Sequence, residues 1–161
     1  MNIIRFFLQY RPPTELRALF IIHYSPLLLI IMLGPITPLF GIWKIPINII
    51  FSIIFGIFLF VLGALVYLKW EIFWFNTYKG QLVTSGIFKY IRHPHYTSLL
   101  IICFGLALFF NSILSFIIAL IAVPIMLISI IDEERLLLKQ YGPEYKSYMK
   151  KVPWRIIPYL F

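Results

Sequence analysis

Long apolar runs, broken at a few places by polar residues, set the pattern of this chain. The longest charge-free run, residues 45–68, exceeds the roughly 20 residues that a helix needs to cross a hydrocarbon core. Upstream, residues 18–33 form a second apolar run, interrupted by His23 and Pro26 and followed by the breaker run Gly34-Pro35-Ile36-Thr37-Pro38. It reads as a first, kinked span. Downstream, residues 97–110 and 113–131 are separated only by Asn111 and Ser112, which predicts a tight helical hairpin whose first arm is short for a full span. The fourth run ends in Asp132-Glu133-Glu134-Arg135 without a turn signal, and helix formers continue to Tyr141 before Gly142-Pro143. One helix is therefore expected to leave the membrane there.

These elements predict an all-α polytopic membrane bundle of about four inserted helices, the last two a hairpin, with a cytoplasmic C-terminal helical tail. Composition agrees: a chain of 161 residues that is 61% hydrophobic, 19% aromatic and 12% charged cannot bury its apolar surface in one small soluble core. No linker or repeat divides it, so residues 1–161 read as one domain, with two N-terminal spans in 1–75 and a cofactor loop, hairpin and tail in 76–161.

Charge orients the bundle. Arg5, Arg11 and Arg17 precede the first span; Lys69, Lys79, Lys89 and Arg92 lie between the second and third; six more basic residues, Arg135 to Arg155, follow the fourth. Lys44 alone falls on the other side, so the positive-inside rule places both termini in the cytoplasm, of a bacterial inner membrane or an endoplasmic reticulum. The N-terminus shows no cleavable signal pattern. A net charge of +8 distributed beside spans suits anionic lipid and excludes a nucleic-acid face. Trp70, Phe73, Trp74 and Phe75 read as an interfacial belt, or as an aromatic wall beside a cationic ligand.

Two polar clusters carry candidate chemistry. The first, Arg92-His93-Pro94-His95-Tyr96, opens the third apolar run; Pro94 suits a first helical turn, whose N–H groups could receive an anion. Alone it reads equally as the flank of a membrane helix. The second is the acidic group Asp132 to Glu134, which runs against the basic trend of its boundary and points to a bound positive charge. A hairpin brings His93 and Glu133 to one side. His23 reads as a neutral histidine hydrogen-bonded inside the bundle, and His95 as a helix cap. Cys103 reads as packing, and no histidine or cysteine spacing suggests a metal.

The ordered set Leu82-Val83-Thr84-Ser85-Gly86, Arg92-His93-Pro94-His95-Tyr96, Glu133-Glu134 and Gly142-Pro143-Glu144-Tyr145, closing with Val152-Pro153, resembles the isoprenylcysteine carboxyl methyltransferase family. The likeness covers about residues 80–158. It implies S-adenosylmethionine bound at the cytoplasmic ends of the last membrane helices and a lipophilic methyl acceptor arriving from the bilayer. Carried over by position, cofactor contacts fall on Gly80, Gln81, Leu82, Val83, Phe88, His93, Pro94, His95, Tyr96 and Glu133. Arg92 and Glu134 are the candidate catalytic groups. Phe88 stands where the family often has Tyr, and Ser129, a position implied to lie at the acceptor, stands where eukaryotic members carry Arg. Alternatives are a phospholipid N-methyltransferase, an NADPH-dependent membrane sterol-type reductase and a non-enzymatic membrane scaffold. The reductases usually carry His or Arg where this chain has Glu133-Glu134, as a phosphorylated cofactor requires.

Overall fold

The computed structural model describes residues 14–159, with side chains described from residue 21. Arg5, Arg11 and the Arg17 side chain, and with them part of the basic-residue pattern, lie outside the described residues. The elements are α1 (Thr14–Leu33), α2 (Ile36–Phe40), α3 (Ile49–Thr77), a 3-10 turn at Gly86–Lys89, α4 (Pro94–Phe109), α5 (Ile113–Tyr141) and α6 (Pro143–Lys151). Among the described residues three stretches are long and apolar enough to cross a membrane: Ile21–Phe40, Ile49–Thr77 and Ile113–Tyr141. The apolar α4, at 16 residues, is about 24 Å long, shorter than a hydrocarbon core.

The breaker run ends α1 at Leu33, as expected, but after a turn at Gly34-Pro35 the chain re-enters helix as α2. Pro35 is its N-cap, and Pro38 falls in its first turn, where a missing N–H costs nothing. The hairpin turn falls where Asn111 and Ser112 predicted it, Asn111 in the left-handed region at φ 47. Ser112 caps α5 by accepting from the Ser115 N–H. At the far end, α5 runs unbroken through the acidic cluster to Tyr141, as the absence of a turn signal required.

α4 is the central helix, packed against α3, α5 and α1. It meets α3 almost backbone to backbone. A Cβ on Gly56 would stand 2.4 Å from the Phe109 nitrogen, one on Gly105 2.6 Å from the Phe60 nitrogen, and one on Gly63 2.7 Å from Ile102 Cγ1. Small residues are what allow such close approach where lipid supplies no hydrophobic drive between helices. Ser52 adds a hydrogen bond across the same seam, its hydroxyl donating to the Leu108 carbonyl at 2.7 Å. Gly56→Val should therefore force the two helices apart and cost about 1 to 3 kcal/mol, as overpacking does. Thermal unfolding in detergent would detect it, and an unchanged midpoint would contradict this account of the seam.

The ends of the bundle are closed differently. At one end the segment before α3 pairs with the hairpin turn: Ile45 N–H donates to the Asn111 carbonyl at 3.1 Å, Ile113 N–H to the Trp43 carbonyl at 2.9 Å, and Thr37 Oγ1 to Ser112 Oγ at 2.8 Å. At the other end the chain after α6 returns as an extended strap over the start of α4. Arg92 N–H donates to the Trp154 carbonyl and His93 N–H to the Arg155 carbonyl, both at 2.9 Å, and Thr97 Oγ1 donates to the Ile156 carbonyl at 2.8 Å. Buried Val152 and Ile156 anchor the strap in two apolar clusters.

Candidate functional site

Beneath the strap lies a buried ion network. Glu134, on the inward face of α5, has almost every lone pair occupied. Its Oε1 accepts from Arg92 Nε at 2.9 Å and Arg92 Nη2 at 2.6 Å, and its Oε2 accepts from Arg155 Nε and Nη2 at 3.1 Å each. Arg92 is fixed from a third direction by donating to the Val152 carbonyl at 2.7 Å. Planar, multidentate pairing of this kind is what arginine offers a buried carboxylate. The candidate catalytic residues Arg92 and Glu134 are thus bound to one another.

His93 joins the two carboxylates. Its Nε2 lies 3.3 Å from Glu134 Oε1 and its Nδ1 lies 3.6 Å from Glu133 Oε2. Burial pulls the imidazole pKa down, but the hydrogen bonds and charges of Glu133 and Glu134 outweigh it, and the net position is above the usual 6.5. A histidine raised in the folded state binds its proton more tightly than in the unfolded chain. Its contribution to stability is complete below pH 6.5 and is lost as pH rises through the higher folded value. Thermal stability in detergent should therefore decline on the alkaline side of 6.5, and His93→Gln should flatten that decline. An unaltered pH profile in the variant would show that His93 does not carry the charge.

The acidic cluster divides by partner. Asp132 pairs with Arg135 at 2.9 Å on the exposed face, and Glu134 is neutralised from within. Glu133 keeps a side chain 30% exposed, and Arg155, at the other edge of the network, is also 30% exposed. One accessible carboxylate and one accessible guanidinium thus flank a closed ionic centre. Tyr145, from α6, brings a buried hydroxyl beside the network that has no hydrogen-bond partner among the described residues. Burial and the nearby Glu134 push its ionisation up, so it stays protonated and available as a donor. Sequence reasoning gave neither Arg155 nor Tyr145 a role in the site: Tyr145 entered only as part of the closing motif and Arg155 only as one of the basic residues of the tail. The strap carries no periodicity, and the paired signal Val152-Pro153 marked only its start.

The other sequence-derived positions spread outward from this centre. His93, Pro94, His95 and Tyr96 are all buried at the head of α4. His95 does not cap the helix; His93 is the N-cap residue, without a side-chain capping bond. His95 turns inward, its Nε2 3.3 Å from His23 Nε2 and its ring 4.4 Å from that of Trp70. His23 is hydrogen-bonded inside the bundle, as expected. Phe88 and Val83 are buried against α6, where Tyr148 donates its hydroxyl to the Phe88 carbonyl at 2.7 Å. Leu82 is half-buried. Gly80 and Gln81 are exposed at the loop edge, where Gln81 Oε1 accepts from the Lys79 N–H. Ser129 lies closed inside the bundle, its hydroxyl donating to the Ile125 carbonyl one turn back. Of the aromatics read as an interfacial belt or an aromatic wall, Trp70 packs on His95, and Trp74 stacks on Tyr78 at 4.5 Å.

A small polytopic helical membrane protein with its polar chemistry gathered at one boundary is the class that this fold and site define. The sequence model of the family described as phospholipid methyltransferase matches residues 49–144, and the chain belongs to that family of membrane methyltransferases. The match takes in α3, α4, α5 and every ionisable member of the network except Arg155. Among curated proteins, the chain is similar to the Delta(14)-sterol reductase of Mus musculus, 31% identical over 83 residues. Those residues are 50% of this chain and 20% of the reductase, so the chain spans about a fifth of that relative's length. No solved structure matches.

Proposed function

We propose that this protein uses S-adenosylmethionine to methylate the polar head of a lipophilic acceptor at the cytoplasmic boundary of the membrane, in a reaction of the isoprenylcysteine carboxyl O-methylation type. The observation that carries this reading is the pairing of accessible Glu133 with accessible Arg155 on either side of the His93 centre. The cofactor brings an ammonium, a carboxylate and a sulfonium. A carboxylate and aromatic faces suit the cations, and a guanidinium suits the anion. Glu133 and Tyr96 would hold the cationic part, Arg155 the carboxylate, and the Tyr145 hydroxyl offers a donor for a further polar group. Bound there, the cofactor would supply an already activated methyl group.

The protein's own part is then to orient and to exclude water. The Arg92–Glu134 pair and the strap keep Glu133 and His93 in one arrangement, and the bilayer shields the acceptor's apolar part. An acceptor carboxylate needs no general base, whereas an ammonium must first lose a proton. Closed Ser129 provides no cationic anchor for the acceptor, so its head is held from elsewhere.

The test is incubation of the purified protein with methyl-labelled S-adenosylmethionine and an extract of host membranes. Label in a lipid ester supports the reading. Label in a lipid amine assigns phospholipid N-methylation instead, and no labelled product together with no cofactor binding defeats both. The likeness to the sterol reductase favours a second reading, nicotinamide-dependent reduction, which binding of NADPH in place of S-adenosylmethionine would establish. The same proposal places the site end in the cytoplasm. Reporter fusions at Met1 and Phe161 should both read as cytoplasmic, and opposite readings would contradict it.

A further inference from the structure

Outside the ion network, the site end carries a cleft of about 420 Å³ lined by Lys69, Phe73, Gly86, Ile87, Lys89 and Tyr90. Its floor is apolar and its rim holds two ammonium groups from separate elements, α3 and the 3-10 turn. Neither lysine makes an ion pair among the described residues. At about 1.5 Å per residue, Lys69 stands about 30 Å along α3 from Ile49, the thickness of a hydrocarbon core. A helix that enters the hydrocarbon core near Ile49 would therefore bring this cleft to headgroup depth.

We propose that this cleft is a binding site for the headgroup phosphate of an anionic membrane phospholipid, with Lys69 and Lys89 on the phosphate and Phe73 and Ile87 beneath the glycerol. Depth argues for lipid over a soluble anion: the apolar floor continues the lipid-facing surface of α3, where Leu65, Leu68 and Ile72 are exposed. The site also has a mechanical consequence. Gly86 sits so close to the Phe73 ring that a Cβ would stand 2.6 Å from it. The next side chains pass from this cleft to the interior, since Phe88 packs on Phe73 at 6.2 Å between ring centres and receives the Tyr148 hydrogen bond on its carbonyl. A phosphate bridging Lys69 and Lys89 ties the turn 86–89 to α3. The proposal stands independently of methyl transfer.

Native mass spectrometry of the full chain in detergent, titrated with phosphatidylglycerol or with phosphatidylcholine, tests it. The wild type should retain phosphatidylglycerol preferentially. At about fivefold per lysine near an anionic surface, K69Q/K89Q should weaken that retention about 25-fold. K69R/K89R should restore it, which separates charge from misfolding. K146Q/K150Q, two exposed lysines of α6 away from the cleft, should bind as the wild type does. Equal retention of the two lipids, an equal loss in K146Q/K150Q, or displacement of the lipid by inorganic phosphate at matching concentration would each overturn the proposal.

Discussion

Glu134→Ala should destabilise the fold by about 3 to 5 kcal/mol, the usual consequence of removing one partner from a buried ion pair. The magnitude follows from what is left behind. Arg92 is buried, and without Glu134 its Nε and Nη2 lose their acceptor, while Nη1 alone keeps the Val152 carbonyl. Arg155 and His93 lose an anionic partner in the same step. Three cationic groups then face one another across a site whose remaining carboxylate is Glu133. Denaturation of the purified variant in detergent would measure the loss, and a midpoint equal to that of the wild type would show that the network does not hold the strap down. Glu134→Gln should recover part of the stability by restoring acceptors without the charge.

Glu133→Gln should behave in the opposite way, keeping the fold and weakening S-adenosylmethionine binding about tenfold or more, the worth of one charge-assisted contact. Its side chain is partly exposed and among the described residues hydrogen-bonds with His93 and Tyr96, not with Arg92, Glu134 or Arg155, so its neutralisation leaves those three in place. Calorimetry with the cofactor would separate the two neighbours. An affinity matching the wild type in a well-folded Glu133→Gln protein would move the cofactor site away from this carboxylate. Loss of binding and of stability together would mean that Glu133 is structural, as Glu134 is.

Much of the helical frame is readable from residue pattern, because a membrane makes run length and charge decisive. The course of α5 through three acidic residues followed from the lack of any turn former before Gly142. The short α2 did not, since Pro35 and Pro38 look like breakers unless their place in a first turn is known. The meeting of His93 with Glu133 followed from the hairpin, because two arms joined by a tight turn put their free ends together. His23 and His95 are 72 positions apart, and Arg155 and Glu134 are 21 apart with a turn and a helix between them. Such contacts depend on how helices rotate and how an extended segment folds back, and neither leaves a period in the sequence.

The returning strap bears on how the protein is made. Synthesis proceeds from the N-terminus, so α1 through α5 are translated before the ribosome adds Arg155 and Ile156. Until then the start of α4 has no partner for the Arg92 and His93 N–H groups, and Glu134 has two of its three cations. Residues that follow α5 and α6 complete the polar centre, so helices α1 through α5 can already be inserted in the membrane while the site is still open.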